Sequence, residues 1–261
     1  MVASNQLSNK MSKPSSGSSG QELQPDKQTP SADLARISWT LYIRHARTLI
    51  GYSAWLLVPM ALSVLLSLAF PVDAIDVAST ISGTLGLIIG TWVTIVIITA
   101  TPILQNKKRI RPRVLSKRAW NLFLPYILLS IAINLLTGIG LVLLIVPGLL
   151  VAVRLSFAQI LLVQERLDPL EAIKESYRRT THKTGMLLKR LFFGILFIGL
   201  PYGLLAAFIA IGFASTRGLD LWTFFVHSQP TLFEIITFQF LDILFLPIFL
   251  IYWVLMYEDI G

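Results

Sequence analysis

Residues Ile81–Leu104 read ISGTLGLIIGTWVTIVIITATPIL and hold no charged side chain. A helix rises about 1.5 Å per residue and the hydrocarbon core of a bilayer is about 30 Å thick, so about 20 apolar residues cross it. The stretch meets that length. So do Leu49–Phe70 and Leu191–Phe213, which are equally free of charge. Asn121–Val163 is about twice the length of one crossing and must fold back on itself, and Phe233–Tyr257 supplies a last crossing. A soluble core of this size would interrupt its apolar residues at helical or strand spacing, whereas here they run on. The sequence therefore reads as all-α, a polytopic membrane protein. Its six transmembrane helices are expected near 49–70, 81–104, 121–137, 141–163, 191–213 and 233–257.

Within 121–163 two places carry helix-breaking residues, Thr137-Gly138-Ile139-Gly140 and Pro147-Gly148. A turn at Thr137–Gly140 is expected, because it leaves two stretches that each roughly match the membrane, with Pro147 kinking the second. Gly86 and Gly90 form a GxxxG spacing, read as close packing within the chain rather than between chains.

Residues 1–33 are polar and include the Ser/Gly run Ser15–Gly20, so they are expected to form a disordered cytoplasmic tail ahead of a single membrane domain over 34–261. Two amphipathic interfacial helices are expected beside the spans. One covers Ala32–Arg47, with Leu34, Ile37, Leu41 and Tyr42 at helical spacing. The other begins at Asp168-Pro169-Leu170-Glu171, which supplies an N-cap, a first-turn proline and an acid at the third position. Its apolar side is read as Leu170, Ile173 and Tyr177.

The net charge is +8 and the isoelectric point about 9.9. The cations flank apolar spans instead of mixing with aromatics in a polar domain, which excludes nucleic acid as the expected partner. The densest group is Lys107, Lys108, Arg109, Arg111, Arg113, Lys117 and Arg118, and Arg178 and Arg179 follow in the fourth connection. Lys and Arg are nearly absent from the first, third and fifth connections, where Arg217 stands alone, so both termini are placed in the cytoplasm. The basic groups are read as binding anionic headgroups of membrane lipids.

Ionisable and amide groups inside lipid are functional suspects, since a charge at the bilayer centre costs about 2.5–3.5 kcal/mol on insertion scales. Arg154, Gln159, Asn134, Glu234, Gln239 and Asp242 qualify. Depth along the spans points to an Arg154–Asp242 pair, with Gln239 one turn from Asp242, and Asn134 is read as bonding across helices. Zinc-protease, nucleophile-elbow and phosphate-loop motifs are missing, and His45, His182 and His227 lie in separate flanks. The chain has no cysteine. No catalytic residue, metal ligand or cofactor is expected, and the chain is read as not an enzyme.

The stretches Ile145-Val-Pro-Gly-Leu-Leu-Val-Ala-Val-Arg154-Leu-Ser-Phe-Ala158, Asp168-Pro-Leu-Glu-Ala-Ile-Lys-Glu-Ser176 and Tyr257-Glu-Asp-Ile260 resemble bacterial membrane-protein families of unknown function. These include YciC-like proteins and the membrane domain fused to some glycerophosphoryl diester phosphodiesterases. The catalytic phosphodiesterase domain has no counterpart here. The resemblance implies a six-helix protein of the bacterial cytoplasmic (inner) membrane. Two roles are then expected: organising lipid or a membrane-protein partner through a basic cytoplasmic face, or moving a small solute or ion through the Arg154/Asp242 region.

Overall fold

In lipid every backbone N–H and C=O must be satisfied within the segment, so long apolar stretches become helices. The computed structural model describes residues 29–69, 75–218, 220, 222–223 and 232–260, and these are helical almost throughout. Six helical stretches are long and apolar enough to cross a membrane. The tail expected over 1–33 lies outside the described residues up to residue 28, as do residues 71–74 and most of the 217–231 connection. Thr29 to Asp33 belong to the folded body: Thr29 donates to Asp259 and the first helix begins at Ser31.

That helix, α1 (Ser31–Ser53), continues through a tight turn at Ala54–Leu56 into α2 (Leu57–Ala69). Non-helical angles at His45 kink it. The helix expected over Ala32–Arg47 is thus joined to the first crossing. Its Leu34, Leu41 and Tyr42 are buried while Ile37 is exposed. The apolar stripe serves the body of the protein, and α1 packs mainly against the last helix.

Helix α3 (Ile75–Gln105) carries the GxxxG face. A Cβ on Gly86 would meet the Pro59 side chain at 3.8 Å, and one on Gly90 would meet Leu56 at 3.8 Å. The small residues seat α2 against α3 inside one chain, as the spacing led us to expect.

The turn of the hairpin differs from expectation. Helix α4 (Pro112–Leu143) runs unbroken through Thr137–Gly140, and the chain reverses at Leu144, whose backbone is extended, into α5 (Ile145–Arg154). Gly140 and Gly148 lie face to face across the turn. A Cβ on Gly140 would sit 2.8 Å from the Gly148 Cα, and one on Gly148 would sit 2.7 Å from the Gly140 carbonyl carbon. Both glycine sites therefore mark the close approach of the two helices, and the reversal falls between them.

After a break at Leu155–Phe157 the return limb continues as α6 (Ala158–Glu165). Helix α7 (Pro169–Thr180) starts at Pro169 with Asp168 before it, as expected. Helix α8 (Thr184–Gly194), a π-helical turn at Ile195–Gly199 and α9 (Leu200–Thr216) form the fifth crossing, and α10 (Leu232–Glu258) the sixth.

Buried side chains concentrate toward one end of the bundle: Val93–Ala100 of α3, Ile160–Val163 of α6, and Ile248–Tyr257 of α10. At the other end Val142, Leu204 and Phe208 are largely exposed. Such exposure costs little if lipid is the neighbour, because acyl chains are as apolar as leucine.

Candidate functional site

The tight end of the bundle collects the polar chemistry. The break after α5 releases the Arg154 carbonyl from its helical ladder, and a buried carbonyl needs a new partner. Ser176 of α7 supplies it, donating its hydroxyl at 2.7 Å, and the Thr180 hydroxyl, shared with the Ser176 carbonyl, lies 3.0 Å away. Ala172, Ser176 and Thr180 are the buried face of α7, so the helix docks by small residues at i, i+4 and i+8. Of Leu170, Ile173 and Tyr177, read from sequence as its apolar side, Ile173 packs half-buried against the core, while Leu170 and Tyr177 stay exposed. From the other flank, the Trp253 indole N–H donates to the Ser156 carbonyl at 2.9 Å.

A second set ties down the C-terminal residues. Tyr257 donates its hydroxyl to Glu165 and accepts from Arg179 at 3.0 Å. Arg179 also pairs with Glu165 at 2.8 Å and with Glu175 at 2.6 Å. Arg190 reaches Asp259 at 2.6 Å and donates to the Thr29 carbonyl at 2.9 Å, while Lys183 donates to the Ile260 carbonyl at 2.7 Å. Burial would raise the Asp259 carboxyl, but hydrogen bonds from Thr29 and the adjacent guanidinium outweigh it and hold the group below its ordinary range.

These contacts divide the cations into two populations. Arg178 is engaged with Glu175 and Arg179 with two carboxylates, and Arg118 donates to the Val163 carbonyl at 2.6 Å. Of these three, expected at the headgroups, Arg179 and Arg118 are used within the fold, while Arg178 pairs with a neighbour on its own helix and stays exposed. Lys107, Lys108, Arg109, Arg111, Arg113 and Lys117 are exposed and enter none of the ion pairs found among the described residues. Lys107 ends α3 with φ 52°. A left-handed residue at that position is usually glycine, and a side chain there costs about 1 kcal/mol. Arg166 ends α6 the same way, with φ 59°.

The Arg154–Asp242 pair is not formed. The Arg154 guanidinium donates to the Tyr177 hydroxyl at 2.8 Å and lies 5.0 Å from that ring's centroid. Asp242 instead accepts from Tyr202 at 2.8 Å. Gln239 and Asp242 do share one groove. Asn134 donates to the Ser130 carbonyl of its own helix, and the bond across the hairpin is made by Gln159, which donates to the Ser130 hydroxyl at 3.0 Å. Glu234 is buried and faces Arg217 at 3.3 Å, so the lone cation of the opposite end is matched by an acid.

Sequence reasoning missed Tyr202, Glu165, Arg190 and Asp259 as organising residues. Tyr257 and Asp259 stood in a quoted motif, but their partners lie far away along the chain. The fold and its six apolar helices define an all-helical, multi-pass membrane protein. Comparison with known protein families, with curated proteins and with solved structures finds no match to this chain.

Proposed function

We propose that the protein is a non-enzymatic component of the bacterial cytoplasmic membrane that gathers anionic lipid at its basic end. The observation that carries this reading is the contrast between the two sets of cations. Arg179 and Arg190 are held by acids within the fold, whereas Lys107, Lys108, Arg109, Arg111, Arg113 and Lys117, from the end of α3 to the first turns of α4, enter none of the ion pairs found among the described residues. Each Lys or Arg near an anionic surface contributes about 1 kcal/mol of attraction, so a group of this size outweighs thermal energy several times over.

The positive-inside rule assigns this end to the cytoplasm, with six crossings and both termini inside. The surface of α7 that leaves Leu170 and Tyr177 exposed is read as resting at the lipid interface. Transport through an Arg154–Asp242 pair loses its support, because each residue has a different partner.

The test is lipid selectivity in mixed phosphatidylglycerol and phosphatidylcholine nanodiscs, read by native mass spectrometry of retained lipid. Replacing Lys107, Lys108, Arg109 and Arg111 with Gln should abolish phosphatidylglycerol enrichment, whereas Arg179→Gln should leave it unchanged. Enrichment that survives the four replacements would refute the reading. A cysteine introduced at Ile75 should react only with reagent outside the cell. Labelling from the cytoplasmic side would reverse the orientation.

A further inference from the structure

The sixth crossing exposes a carboxylate at membrane depth. Asp242 is exposed on the side of α10, and among the described residues Tyr202 donates to it. A carboxylate can accept about four hydrogen bonds, so one hydroxyl leaves most of its capacity unused. It borders an open groove of about 440 Å³ between the Ala54–Leu56 turn, the π-helical turn, the start of α9 and α10. Leu56, Ile198, Tyr202, Gln239 and Phe249 share its wall with Asp242, and no lysine or arginine is among the described residues that line it. The volume falls within the range of about 300–1,000 Å³ typical of small-molecule sites.

The chain departs from regular geometry beside the groove. The π-helical turn Ile195–Gly199 places Ile195, Ile198 and Gly199 on the wall. Such turns shift side-chain register and recur at functional sites. Tyr202 stands edge-on to Phe245, with ring centroids 5.5 Å apart, so aromatic surface surrounds the acid. Apolar walls, aromatic rings and one under-used carboxylate complement an apolar body bearing a single positive charge.

We propose that this groove binds lipophilic monocations, meaning an amine or onium group on an apolar body, with Asp242 as the counter-ion. Tyr202 fixes the carboxylate rotamer through its hydroxyl, and Gln239, one turn away on the same helix, offers a carbonyl to an N–H. The site is independent of the basic connection and requires no lipid at that end.

The experiment measures equilibrium binding of tetraphenylphosphonium, and of its anionic isostere tetraphenylborate, to the full chain in phosphatidylcholine nanodiscs. Partition into empty discs is subtracted. Saturable binding of the cation about tenfold or more tighter than of the anion is expected, the factor that 1.4 kcal/mol supplies. Asp242→Asn should erase the preference, and Tyr202→Phe should weaken cation binding by about threefold, as for loss of one supporting hydrogen bond. A folded Asp242→Asn protein that binds the cation unchanged, or a wild-type protein that binds both ions alike, would overturn the proposal. If Asp242→Asn does not fold, Gly199→Leu fills the groove without removing the acid. Loss of binding then supports the site, and retention overturns it. Phe240→Cys guards against a second copy as occupant: disulfide-linked dimers that exclude the cation would also overturn it.

Discussion

Asp259 is the residue through which both flanks of the chain are fastened. Its carboxylate accepts from Thr29 and faces the almost fully buried Arg190. Removing one member of such a pair leaves the other charge desolvated, at a cost of about 3–5 kcal/mol when burial is complete and less where one partner is partly exposed. Arg190→Gln and Asp259→Asn should each lower the unfolding temperature in detergent, and the double variant should lose less than the sum. The folded carboxyl titrates below its unfolded value. Its contribution is therefore complete above the unfolded value and vanishes as pH falls below about 4 through the folded one. Asp259→Asn should flatten that acid limb in a pH series of unfolding temperatures. An unchanged limb would mean that another group controls it.

The same scale shows why cations are hard to sort from sequence. Arg178 and Arg179 lie three and four residues from Glu175, and that helical spacing is legible. Glu165 and Asp259 are remote from their partners, and nothing in the local pattern announces them. The misassigned Arg154–Asp242 pair has a metric cause. Depth counted at about 1.5 Å per residue assumes one unbroken helix, whereas the return limb is two helices, α5 and α6. The break at Leu155–Phe157 then turns Arg154 toward α7.

Among the elements, the α4–α5 hairpin separates what breaker residues indicate from what they cause. Gly140 and Gly148 let two backbones touch, and Leu144 makes the reversal with no glycine or proline of its own. Close approach in lipid selects small residues as strongly as turning does, so the sequence located the pair but not the turn between them. Gly148→Val should force the limbs apart, since even a Cβ would come within 2.5 Å of the Leu141 nitrogen. A loss of about 1–3 kcal/mol, the usual cost of overpacking, should appear as a lowered unfolding temperature. Gly138→Ala should be neutral or stabilising, because a Cβ there meets nothing within 4 Å. Helix α7 tells a similar story: its start was readable from Asp168-Pro169, but its buried face was not. Small hydroxyl-bearing residues dock there to satisfy the Arg154 carbonyl, a demand created by a break elsewhere.

For the molecule as a whole, the number of apolar helices was legible and the distribution of packing was not. Length and the absence of charge fix a crossing, but in lipid they leave open which faces meet protein. Arg154→Gln combined with Asp242→Asn should destabilise by the sum of the single changes within about 0.5 kcal/mol, as for separated sites. A larger coupling would restore the pair excluded above. Amide exchange in nanodiscs should be slowest at Val93–Ala100 and Ile248–Tyr257, and faster at Leu204 and Phe208 at the loosely packed end.

The contact between Thr29 and Asp259 also has a practical outcome. Thr29 and Asp259, far apart in the chain, stand side by side in the folded body. A chain shortened to begin at Thr29 could therefore be bridged to Ile260 by a short peptide and opened at another connection as a circular permutant.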